Sequence, residues 1–181
     1  RAAGMITAVF MLSNSPTPLY VVWQRALGFS SGTLTVIFAL YIAGLLGTLL
    51  VAGQLSDRLG RKPVLLPGIA AALVACGLFA CASSTAMLAV ARLLTGIAVG
   101  VIVSAGMASV ADLGGSARKR DAALLASVAM VLGAGLGPLL AGGAGQVLTH
   151  SVMTVFGFEA VVLLSVFGGG YSSGAALLLF N

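Results

Sequence analysis

Apolar residues run through this chain in long stretches, and polar residues collect between them. Reading between charges and turn-forming residues gives six apolar segments, at about 3–23, 33–53, 63–82, 86–111, 122–148 and 152–174. Each is close to the roughly 20 residues a helix needs to cross a bilayer. None shows the apolar/polar alternation, about ten residues long, of a transmembrane β-strand. "LLVAG", "AALVACGLFA" and "AVVLLSVF" are near-continuous apolar runs. The expected fold class is all-α: a polytopic helical membrane protein, with six transmembrane helices that each satisfy their own backbone. Residues 1–174 form the bundle in this reading. Residues 175–181 are an unassigned tail, expected to reflect truncation. The three consecutive glycines of "VFGGGYSSGAALLLFN" disfavour regular helix there.

Composition excludes the soluble alternatives. Of 181 residues, 60% are hydrophobic and 7% charged, with a mean hydropathy of +1.15. Soluble domains carry about 25% charged residues. The net charge of +5 and pI of 9.9 do not indicate a nucleic-acid partner. The bases punctuate apolar segments, as membrane topology requires.

Two basic clusters fix that topology. Arg58, Arg61 and Lys62 form one, and Arg118, Lys119 and Arg120 the other. Basic clusters in short loops stay in the cytoplasm, so an even number of spans must separate these two. Residues 63–117 hold two spans, turning at Ser83, Ser84 and Thr85. The opposite loops hold only Arg25 and His150. The N-terminus and both basic loops are thereby placed inside. The chain begins at Arg1 with no signal-peptide pattern before the first span, which is read as a fragment.

Cys76 and Cys81 lie five apart in an apolar run, with no His or acid at ligand spacing, and are read as packing residues. No catalytic triad, metal cluster or phosphate-cradling loop is found. Neither enzymatic activity nor a cofactor or metal is expected.

Three motifs stand out. Residues 53–62, "GQLSDRLGRK", place Gly53, Leu55, Asp57, Arg58, Gly60, Arg61 and Lys62 between the second and third spans. On the fourth span, "RLLTGIAVG" sets Arg92, Gly96 and Gly100 on one helix face. On the fifth, "GAGLGPLLAGG" carries Gly133, Gly137, Pro138 and Gly142. The first pattern resembles G-x-L-x-D-R-x-G-R-K of the major facilitator superfamily of secondary transporters, and its place between spans two and three agrees. The second is similar to that family's R-x-x-x-G-x-x-x-G. The third is similar to G-x-x-x-G-P-x-x-G-G of its antiporter branch, except that Ala141 takes the first place of the final glycine pair.

The resemblance implies the N-terminal six-helix half of a transporter in the bacterial inner membrane, working by alternating access on a small solute. Residues 53–62 would be one side of a latch whose partner lies in a C-terminal half absent from this sequence. Arg92, with Gly96 and Gly100, would assist proton or substrate handling; a snorkelling Arg92 is the plainer alternative. The fifth-span motif would bend that helix, efflux driven by proton entry being the implied branch. A facilitator or a sugar/metabolite symporter of the same superfamily is the alternative, and a half-size membrane scaffold or assembly partner a further one. The implied partners are the lipid bilayer, a small-molecule solute, protons and the missing half.

Polar residues inside the spans complete the picture. "SNSPTPLYVVWQ" is too polar for a lipid-facing stretch, and Pro16 with Pro18 should interrupt the first helix. Irregular backbone at membrane depth belongs against protein or a water-filled cavity. Asn14, Tyr20 and Gln24 are the candidate substrate contacts; Tyr20 and Trp23 are alternatively interfacial anchors. Drug/proton antiporters of this superfamily often hold an acid in the first span, and this sequence has none. Glu159 is the one carboxylate inside a span, at roughly the depth of Arg92, where the two could pair. A structural role is favoured for it over proton carriage. Asp112 and Asp121 flank the second basic loop and are expected to pair locally with its cations.

Overall fold

A computed structural model describes residues 2–59, 61–112, 116–148 and 151–172. Seven helical segments follow in order: α1 (Ala2–Asn14), α2 (Pro16–Leu27), α3 (Ser31–Leu59), α4 (Arg61–Ala80), α5 (Thr85–Asp112), α6 (Ser116–Val147) and α7 (Ser151–Ser172). No strand occurs among the described residues. With α1 and α2 making one crossing, the architecture is the expected six-helix membrane bundle. Among the described residues, four stretches are long and apolar enough to cross by themselves: Ala3–Leu27, Ser31–Leu55, Thr85–Ser104 and Ala123–Val147. Two shorter apolar helices, Val64–Ala80 and Ser151–Val166, complete the six.

Local chemistry sets the outer turns. Gly28, at φ 67°, ends α2 in the left-handed conformation that suits glycine, its N–H bonding the Gln24 carbonyl at 2.9 Å. Ser30 Oγ accepts from the Thr33 N–H at 3.2 Å as α3 begins. Ser84 Oγ accepts from the Met87 N–H at 3.3 Å as α5 begins. Both supply an acceptor to the unpaired first turn of a helix.

At the end that carries the two basic clusters the helices outrun the apolar segments. α3 continues to Leu59 and α4 starts at Arg61. Most of the stretch read as a loop, residues 53–62, is thus helix end. Likewise α6 starts at Ser116, ahead of the second basic cluster. Polar residues end the lipid-compatible stretch without ending the backbone ladder. The glycine expectation is also corrected: α7 runs through residues 168–170 to Ser172. Gly lowers helix propensity by only about 1 kcal/mol, whereas an open backbone group in lipid costs several. Residues 173–181, with the tail assigned there, lie outside the described residues.

The helices pack in a closed order. α3 lies along α5, α5 along α4, α4 along α7, and α6 along α1. α1 also touches α5 and α7. The first crossing and α5 are interior, with 56% of each buried, while α3 and α6 are peripheral at 11% and 22%. Outward faces are apolar: Val36, Ile42, Leu46 and Leu50 on α3, and Val128, Val131 and Leu139 on α6. In water such faces would aggregate; in a bilayer they are the ordinary surface.

Small residues bring the backbones together. A Cβ on Gly96 would run into the Tyr41 carbonyl of α3, and one on Gly100 would lie 2.8 Å from Thr48 Cβ. From the other side, a Cβ on Gly44 would lie 2.5 Å from the Leu93 carbonyl. α6 meets α1 the same way: Gly133 leaves no room for a Cβ against the Thr7 carbonyl, and Gly137 leaves 2.5 Å to the Met11 carbonyl. Thr7 Oγ1 adds a link, with the Ala129 carbonyl at 3.1 Å and its own Ala3 carbonyl at 3.0 Å.

The two cysteines separate. Cys76 is buried, whereas Cys81 is exposed just past the outer end of α4. In intact cells, a membrane-impermeant maleimide added outside should label Cys81 and spare Cys76. Labelling of Cys81 only after the inner face is opened would invert the topology.

Candidate functional site

The centre of the bundle is organised around the interruption in the first crossing. α1 ends at Asn14, α2 starts at Pro16, and Ser15 stands between them. Ser15 itself is unstrained, at φ −56° and ψ −35°, and its N–H still reaches the Met11 carbonyl at 2.9 Å. The two prolines cause the break, because each lacks the N–H that would bond four residues back. Around this break the backbone offers oxygen atoms at membrane depth.

Arg92 uses one. It lies on interior α5, 2% exposed. Its Nη1 donates to the Ser13 carbonyl at 2.6 Å and its Nε to Tyr20 Oη at 2.6 Å. The guanidinium carbon also sits 5.2, 5.0 and 5.6 Å from the ring centres of Tyr20, Phe38 and Tyr41. A desolvated cation gains from such ring faces. Ser13 closes the group, its hydroxyl 3.1 Å from Tyr41 Oη. Nη2 has no hydrogen-bond partner among the described residues. A forked guanidinium suits this position because it serves a carbonyl and a phenol at once, which the compact ammonium of lysine matches poorly.

Glu159 uses the other side of the break. It lies on α7, 2% exposed. Ser15 Oγ bonds its Oε1, while Oε2 has no hydrogen-bond partner among the described residues. The pairing with Arg92 that depth alone suggested is not formed: the guanidinium goes to Ser13 and Tyr20, the carboxyl to Ser15. Each buried ionisable group is held separately, at neighbouring points along the first crossing.

Aromatic rings continue this cluster toward the outer face. Tyr20 meets Trp23 edge-on at 5.5 Å and Phe38 at 5.3 Å. Trp23 stacks on Phe79 at 5.7 Å and on Phe156 at 6.1 Å, and those two stack at 4.9 Å. Rings from α2, α3, α4 and α7 thus join at the outer half of the bundle. Trp23 is buried here rather than at a lipid interface.

The other sequence candidates are placed as follows. Of the three proposed solute contacts, Tyr20 alone joins the cluster; Asn14 Nδ2 turns back to the Phe10 carbonyl of its own helix at 2.8 Å. Gln24 is half-buried near the end of α2. Gly96 and Gly100 seat α5 on α3, Gly96 against the backbone of Tyr41, whose ring faces Arg92. Gly133 and Gly137 seat α6 on α1, with Ser15 Oγ 2.9 Å from where a Gly137 Cβ would stand. Pro138 is accommodated within α6, and Gly142 faces Pro18 Cβ at 3.8 Å. Ala141, where the pattern has glycine, is fully buried. Gly53 is half-buried and Leu55 exposed on α3. The side chains of Asp57, Arg58, Arg61, Lys62 and Asp112, and the whole of Gly60, lie outside the described residues. Arg120 and Asp121 are exposed at the start of α6.

Sequence reading missed Phe38, Tyr41, Phe79 and Phe156. Counting residues inward from the outer helix ends puts all four in the outer half with Arg92, and that count was the available signal.

Residues 2–180, nearly the whole chain, match the family model described as Major Facilitator Superfamily. The chain belongs to the Major Facilitator Superfamily. It is 30% identical over 156 residues to multidrug resistance protein MdtL of Escherichia coli O45:K1, covering 86% of this chain and 36% of that protein. MdtL of E. coli O127:H6 is 30% identical over 153 residues, 78% of this chain and 37% of that protein. MdtL of Escherichia fergusonii is 29% identical over 156 residues, with 86% and 36% covered. The chain therefore spans little more than a third of these superfamily relatives.

Tyr20→Phe removes one acceptor from the buried guanidinium while keeping the ring. It should lower unfolding stability in detergent by about 1–3 kcal/mol. An unchanged unfolding midpoint would mean that Arg92 does not depend on the phenol.

Proposed function

We propose that this chain is the N-terminal six-helix half, residues 1–174, of a secondary transporter that exports a small solute from the cytoplasm, driven by proton entry. It is a multi-pass protein of the cell inner membrane. The observation that carries the reading is the buried guanidinium of Arg92, held by a broken first crossing in a bundle of this superfamily. A desolvated cation at the centre of a membrane bundle is a functional feature by default. The multidrug-resistance names of the relatives support efflux.

In this account Tyr20, Asn14 and Gln24 border the solute path on the first crossing. Arg92 acts at its base, and the fifth-span motif carries the bend that α6 needs as the halves rock. Residues 53–62 latch against the second half. A facilitator or symporter is the second reading, favoured by the lack of an acid in the first crossing.

Inside-out vesicles carrying the complete transporter decide between them. A lipophilic cationic dye should accumulate when the interior is made acidic, and a proton ionophore should abolish the accumulation. Dye movement indifferent to the ionophore would favour a facilitator, and movement in the same direction as protons a symporter.

A further inference from the structure

Proton-driven export needs a group that takes up and releases a proton within the bundle. Of the four acids, Asp57, Asp112 and Asp121 flank the two basic turns; Glu159 alone lies within a span. The groups around it are few. α4 carries the buried thiol of Cys76. α1 presents no ionisable side chain among its described residues. α6 carries its charged residues, Arg118, Lys119, Arg120 and Asp121, in its first turns, at the end of the basic cluster. Arg92 and Tyr20 of the neighbouring α5 and α2 are bonded to each other and not to Glu159.

The hydrogen bonds at Ser15 set a constraint. Its hydroxyl has one proton, yet it touches two acceptors: Glu159 Oε1 and, at 2.9 Å, the Met11 carbonyl. With the carboxylate charged, the proton must go to Oε1, and the Met11 carbonyl keeps only the Ser15 N–H, at 2.9 Å. With the carboxyl protonated at Oε1, its own O–H donates to Ser15 Oγ, and the Ser15 hydroxyl turns to Met11. One proton on Glu159 therefore reverses the direction of the hydrogen-bond chain through the break. That break also positions the Ser13 carbonyl on Arg92 and seats Gly137 of α6.

From this geometry we infer that Glu159 is the proton-carrying residue of this half, and that Ser15 passes its charge state to the α1–α2 break and so to Arg92. The carboxyl gains a proton from the outer side at Oε1 and returns the same proton to the cytoplasm, with no other reactant. This rests on the proton-driven reading above.

The test uses the complete transporter in proteoliposomes with a trapped pH dye and a lipophilic cationic dye as solute. Wild type should move protons when the dye is added. Glu159→Gln keeps a donor toward Ser15 but cannot release a proton. It should lose dye-driven proton movement down to the protein-free level while still exchanging dye across the membrane above that level. Ser15→Ala should displace the pH profile of proton movement. If wild type moves no protons, the proton-driven reading and this inference fall together. If wild type is coupled and Glu159→Gln is equally coupled, only the inference falls. A measurement on wild type covers the case of a misfolded variant: a hydrophobic carbodiimide, which attacks protonated carboxyls, should modify Glu159 as read by peptide mass. No modification between acid and neutral pH would overturn the assignment.

Discussion

A guanidinium inside an apolar bundle must be given acceptors, and a regular helix has none to spare at that depth. Every carbonyl of a transmembrane helix is taken by its own ladder. Pro16 and Pro18 lack the N–H groups that would bond the Leu12 and Asn14 carbonyls, and between these Arg92 takes the Ser13 carbonyl. Tyr20, about two turns further on, adds the second acceptor. The same interruption offers Ser15 to Glu159 from the opposite side. The break is thus the polar centre around which α5, α6 and α7 are arranged.

Packing keeps that centre in place. The glycines of the two family patterns do not touch Arg92 or Glu159. They bring α5 hard against α3 and α6 hard against α1, so that partners on different helices come within hydrogen-bond distance. Gly137 does both, since its contact is with Met11 and Ser15 at the break itself. The aromatic stack of Trp23, Phe79 and Phe156 then fills the outer half. Chemistry and packing are therefore separable here: the arginine and carboxyl carry charge, and the glycines set distance.

The fold was legible because hydropathy counts residues, and lipid thickness fixes how many are needed. Helix ends were less legible, since α3, α6 and α7 continue past the apolar stretch into polar or glycine-rich sequence. The break could be read from Pro16 and Pro18, whose missing N–H groups act locally. The depth of Arg92 and Glu159 could be read too, but not that they would bind Ser13 and Ser15 instead of each other. That choice depends on which helix lies between them, a property of packing with no local signature. For Phe38 and Tyr41 the depth could likewise be counted, but not that α3 would be laid against α5 and turn their rings to Arg92.

The dependence of the bundle on the break has an unusual consequence for stability. Alanine is a far better helix former than proline, by about 3 kcal/mol in a helix interior. On local propensity alone, Pro16→Ala with Pro18→Ala should stabilise the first crossing. A continuous helix, however, would bond the Leu12 and Asn14 carbonyls internally, straighten the crossing and move the Ser13 carbonyl and the Tyr20 hydroxyl off Arg92. The unfolding midpoint of the double variant in detergent, compared with wild type, decides the matter. A lower midpoint is the predicted result; an equal or higher one would contradict the claim that the broken helix holds the buried charges.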